Sequence, residues 1–122
     1  MSLRETPGEA KGRRSPLRRQ AIDLNLLRSQ TLGNLDLEKK VLRLFIQQLG
    51  ACIERIRTAE SVTARSEAAH TLVGSARSVG ALSIAYIAGE IELAKGPITG
   101  RLIALERAAG EARFAITGLL TE

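Results

Sequence analysis

Between Leu35 and Ala59, apolar residues recur at spacings of three and four: Leu37, Val41, Leu44, Phe45, Leu49, Cys52, Ile53 and Ile56. That period fits one face of an α-helix and predicts a long helix here, with Asn34 or Asp36 to cap its start. The rest of the chain divides in the same way. A short helix is predicted from about Asp23 to Leu32, broken by Gly33-Asn34. A third helix follows the polar stretch Glu60–Ser66 and runs to about Val79, where Gly80 ends or bends it. A fourth spans about Leu82 to Lys95, with Ile84, Ile87, Ile91 and Leu93 as candidate core positions. After the turn "GPITG" at 96–100, a fifth fills Arg101 to Leu120. No segment sustains the alternation of a strand. Long helices joined by short loops lie antiparallel to their neighbours. The expected fold is therefore all-α, an antiparallel up-down-up-down four-helix bundle with an additional short N-terminal helix.

Composition narrows what fills that bundle. Phe45, Tyr86 and Phe114 are the only aromatic residues, so the core must be built from Leu, Ile, Val and Ala, which suits closely packed helices. Gly50, Gly89 and Gly110 fall inside predicted helices, where each costs ~1 kcal/mol relative to Ala; close helix–helix approach is the expected compensation. The length of 122 residues fits one domain. The lone Cys52 cannot form an internal disulfide, no Cys/His grouping has zinc-ligand spacing, and Cys52 reads as a small buried residue. No apolar run approaches the ~18 residues of a membrane span, and no signal-like segment follows Met1, so a soluble, cytoplasmic monomer is expected.

The net charge of +5 is unevenly distributed. Residues 1–19 carry six Lys/Arg against two Asp/Glu, or +4, which leaves twelve against eleven, or +1, for the remainder. With Pro7, Gly8, Gly12 and Pro16, residues 1–20 read as a basic flexible arm, and residues 21–122 as the bundle domain. The basic arm alone leaves nucleic-acid binding as an alternative, and the rest of the chain counts against it. The body is nearly neutral, shows no recognition helix, and lacks the aromatics that stack single strands.

The chemistry concentrates in "AHTLVGSARSVGA", residues 69–81, which holds the only histidine. On a wheel at ~100° per residue with Leu72 as origin, Ala68, Ala76 and Val79 fall within ~40° and Ala69 at ~60°, forming the inward stripe. His70 falls at ~160°, beside Gly74, Arg77, Glu67 and Ser66. A core histidine would lie on the opposite side, so His70 is expected to face solvent. A glycine in mid-helix on the exposed face gains nothing from its own core; Gly74 instead leaves clearance for another surface to approach His70. Arg77, two turns along, offers a fixed positive charge suited to a phosphoryl group.

His70-Thr71-Leu72-Val73-Gly74-Ser75-Ala76, with Gly80-Ala81, resembles the histidine-containing phosphotransfer (HPt) domain. That family's pattern is histidine, any residue, leucine, lysine, glycine, then small residues and a later glycine. The resemblance extends upstream through "DLNLLRSQTLGNLDLEKKVLRLFIQQL" and covers about residues 20–95, with Arg101 onward fitting as a closing helix. It implies a four-helix bundle whose exposed histidine takes a phosphoryl group from a receiver-domain aspartate and passes it to another receiver. His70 is then the phosphoacceptor and Gly74 the clearance position. Val73 departs from the pattern, because the family usually places lysine there.

Neutral imidazole is an adequate nucleophile near pH 7, one nitrogen attacking while the other keeps the proton. The chain has no phosphate-binding glycine loop and no evident carboxylate pocket for magnesium beside His70. A phosphoryl carrier is expected, without ATP binding, autokinase activity or a cofactor of its own. Magnesium is expected on the partner, a receiver domain of a response regulator or hybrid histidine kinase. Val73 also leaves open a module that binds and sequesters receivers without being phosphorylated. On either reading a modest exposed apolar patch is expected beside His70, with Val73 and part of the 35–59 helix contributing.

Overall fold

The computed structural model describes residues 21–121, which form five helices and no strand. They are α1 (Leu24–Gln30), α2 (Leu35–Thr58), α3 (Val62–Ser78), α4 (Leu82–Leu93) and α5 (Thr99–Leu120). Helix α2 packs on α3, α3 on α4, α4 on α5, and α5 closes the ring on α2, while α1 leans on α3. The result is the expected antiparallel four-helix bundle with a short additional helix at its start. The basic arm of residues 1–20 lies outside the described residues.

Side-chain caps set the starts of the first three helices. Asp23 accepts from the N–H of Leu26 at 3.1 Å, Asn34 from that of Leu37 at 2.9 Å, and Ser61 from that of Ala64 at 3.0 Å. Of the two caps considered for α2, Asn34 is the one used. The Ser61 cap starts α3 at Val62, so most of the stretch read as a polar linker is helical. No apolar period marks that turn, because its inward-facing side chains, Arg65 and Ser66, find polar partners at the end of α4 and just beyond it.

The core stacks Phe45, Leu49 and Ile56 of α2, Leu72 of α3, Ile84 and Ile91 of α4, and Leu105 and Ile116 of α5. Small residues such as Ala69, Ala76, Ala88 and Ala112 lie between them. Two parts of the predicted core differ. Leu37 and Leu44 are exposed, and Glu38 and Leu42 face inward instead. Leu42 lies ~20° from Leu49 on the wheel and Leu44 ~140° away, so spacing in threes and fours drew in residues from a neighbouring row. Glu38 is buried as the partner of Arg28 of α1, whose Nε donates to Oε1 at 3.3 Å. Leu93 is likewise exposed rather than core. Cys52 is buried as expected; burial pushes its thiol up, against an opposing pull from Arg55.

The interior glycines do not mark close helix contacts. A Cβ at Gly89 or Gly110 would meet nothing within 4 Å, and one at Gly50 only the tip of the Arg113 side chain at 3.7 Å. Nothing in the structure explains Gly89 or Gly110. Gly80 is different. Its φ of +79° lies in the left-handed region, and a Cβ there would stand 2.6 Å from the backbone oxygen of Asp23. The N–H of Asp23 donates to the Gly80 carbonyl at 2.8 Å, so this glycine docks the entry to α1 on the α3–α4 turn. None of the helices among the described residues is long and apolar enough to cross a membrane.

Candidate functional site

Helix α3 buries Ala68, Ala69, Leu72 and Ala76 and turns its other side to solvent. Across the seam, α4 buries Ala85 and Ala88. With alanines on both sides the two helices run close enough for short polar side chains at the rim to bridge them. Ser66 Oγ donates to the backbone carbonyl of Glu92 at 2.9 Å. Arg65 Nη2 donates to the carbonyls of Ala94 at 3.1 Å and Gly96 at 3.0 Å.

His70 stands at this rim with its side chain 74% exposed, on the face the wheel gave it. Its Nδ1 lies 2.8 Å from Glu92 Oε2. A carboxylate is an acceptor, so the proton of the neutral ring sits on Nδ1 and the lone pair on Nε2. Nε2 has no hydrogen-bond partner among the described residues. The ring is held by one nitrogen and open at the other.

The remaining predicted positions separate into two groups. Gly74 is exposed one turn from His70, and a Cβ on it would enter open space, with nothing within 4 Å. Arg77 is exposed on the same side, about 10 Å further along the axis, and forms no ion pair among the described residues. Val73 does not join them. It is only 7% exposed and packs in the core cluster, so it cannot contribute to an exposed apolar patch. At ~100° from Leu72 it lay on the border, and the approach of α4 on that side covers it. Exposed apolar side chains lie on both helices that flank α3: Leu44 of α2, one turn from Gln48, and a row of Leu82, Tyr86 and Leu93 on α4, in which Leu93 follows Glu92 and Leu82 stands about 15 Å away at the far end. On the opposite flank α2 presents a polar contact, Ser75 Oγ donating to Gln48 Oε1 at 3.0 Å.

Glu92 is the site residue the sequence reading missed. Two signals pointed to it. It lies ~40° from the buried Ala88, at the edge of the inward face, and it places a negative charge in the last turn of a helix, where the dipole disfavours one. Counting Leu93 as core hid the first signal, because Leu93 lies ~140° from Ala88 and distorts the wheel. No group of three or more His, Cys, Asp or Glu among the described residues could hold a metal ion.

A family model described as Hpt domain matches residues 40–121. That span runs from within α2 to the end of α5, so it takes in the closing helix more fully than the resemblance did. Neither a curated protein nor a solved structure matches the chain.

Proposed function

Because the chain belongs to the Hpt domain family, which serves histidine phosphotransfer in phosphorelays, we propose that His70 is its phosphoacceptor, exchanging a phosphoryl group with receiver-domain aspartates. The observation that carries this reading is the ring held at Nδ1 by Glu92 while Nε2 stays open. The Nε2 lone pair attacks the phosphorus of the receiver's aspartyl phosphate, the N–P bond forms, and the P–O bond to the aspartate breaks, returning a free carboxylate. Nδ1 keeps its proton throughout. The ring becomes cationic as the N–P bond forms, and the Glu92 carboxylate compensates that charge without reorganising.

Phosphoryl transfer needs alignment and charge compensation more than covalent help, and this chain supplies the alignment. Magnesium and the groups that activate the acyl phosphate belong, on this reading, to the receiver; the chain neither binds ATP nor phosphorylates itself. Gly74 lets the receiver approach, and the exposed Leu93 and Tyr86 of α4 and Leu44 of α2 give it apolar surface on the flanks of α3. Arg77 stands in for the cation the family's lysine would provide.

The test is transfer from a phosphorylated receiver. The wild-type chain gains an acid-labile, base-stable label, and His70→Gln gains none while keeping its helicity. Label retained by that variant would place the acceptor outside histidine, since no second one exists. Tight receiver binding with no label on the wild-type chain would favour the sequestering role that Val73 leaves open.

A further inference from the structure

The segment 92–96, where α4 ends, is fastened by side chains of α3. Ser66 holds the Glu92 carbonyl, and Arg65 holds the carbonyls of Ala94 and Gly96. Helix α4 has no basic residue in its last turn, and its C-cap Ala94 is extended, with its own N–H returning only to Ile91. Its terminal carbonyls therefore depend on a neighbour. The last turn also carries the Glu92 carboxylate, which the helix dipole opposes. Left alone, this turn would fray, and the carboxylate would leave the histidine. Arg65 supplies the missing cation, although its Nε is buried without a hydrogen-bond partner among the described residues. An arginine that serves only solubility would not accept that desolvation.

We propose that Arg65 and Ser66 are positioning residues for phosphotransfer, pinning the end of α4 so that Glu92 holds the His70 ring with Nδ1 protonated and Nε2 free. The two act through Glu92 and never touch the phosphoryl group. Arg65, Ser66 and His70 all project from α3 toward α4, so one helix provides both the nucleophile and the clamp that orients it. This proposal rests on the reading of His70 as phosphoacceptor.

The single histidine makes the test direct, because the imidazole nitrogen signals of the chain come from His70 alone. Nitrogen-15 NMR at a pH where the ring is neutral reads the tautomer without any phosphorylation. The wild-type ring is expected mainly as the Nδ1–H form. In Arg65→Ala/Ser66→Ala, with helicity intact, the signals move toward the Nε2–H form, as in Glu92→Ala, which removes the acceptor, and transfer from a phosphorylated receiver slows roughly tenfold. Ser66→Ala alone, which removes one hydrogen bond and keeps the arginine, moves them the same way by less, so the proposal stays testable if the double variant unfolds. Nitrogen signals unchanged in both variants would overturn the positioning role and leave the acceptor reading standing. Failure of the wild-type chain to take any label would sink the acceptor reading without touching the tautomer result.

Discussion

Two glycines of one short stretch, Gly74 and Gly80, occupy opposite environments. At Gly80 the backbone is left-handed and the Asp23 backbone presses where a side chain would go; at Gly74 the backbone is ordinary helix and the space is empty. The α3–α4 turn uses its glycine to bring two parts of the chain into contact. The His70 face uses its glycine to keep every part of this chain away. Empty surroundings alone do not mark a site, since Gly89 and Gly110 share them; what sets Gly74 apart is its place one turn from His70 on the same exposed face. The turn end of α3 is built for stability; the proposed function gives the histidine face to a partner.

Exchanging the two requirements tests that division. Gly80→Ala forces a side chain into the left-handed region and against backbone, at a combined cost of about 2–4 kcal/mol. Thermal unfolding should move down by roughly 10 °C or more. His70 lies about 15 Å away along the helix, so the protein that remains folded should transfer at the wild-type rate. A stable Gly80→Ala would mean the Asp23 contact yields easily.

Gly74→Gln should show the reverse pattern. Glutamine is the better helix former and has open space to enter, so stability should rise by several tenths of a kcal/mol. Transfer from a phosphorylated receiver should nevertheless fall at least tenfold, because the new side chain occupies the approach to Nε2. Wild-type transfer in this variant would remove the clearance argument.

Val73→Lys probes the border between the two regions. Burying a lysine stem where valine packs should lower stability by about 1–2 kcal/mol, since the ammonium must reach solvent along its stem. A cation emerging on the His70 side should speed transfer or lengthen the life of the phosphohistidine. An unchanged rate would indicate that Arg77 or the receiver already compensates the charge.

The same contrast shows what was legible in the sequence. The outward direction of His70 and Gly74 follows from Ala68, Leu72, Ala76 and Val79, because a helix fixes its faces from its own residues. The bundle followed from long helices and short loops. Glu92 required more, since its meeting with His70 depends on how α3 and α4 lie against each other across 22 residues of chain. The closeness of that seam comes from alanines, whose weak hydrophobic signal says little about which faces meet. Val73 was unresolved for a similar reason. At the edge of a stripe, the rotation of the helix in the bundle decides burial, and one helix's pattern does not set that rotation.

The central claim is that His70 offers Nε2 for phosphorylation because Glu92 holds Nδ1. Phosphorus–nitrogen coupling in the NMR spectrum of nitrogen-15-labelled chain, phosphorylated by a receiver, identifies the bonded nitrogen directly. Phosphorus coupled to Nε2, with Nδ1 still carrying its proton, is the predicted result. Phosphorus on Nδ1, or label on the chain with no coupling to either ring nitrogen, would contradict it.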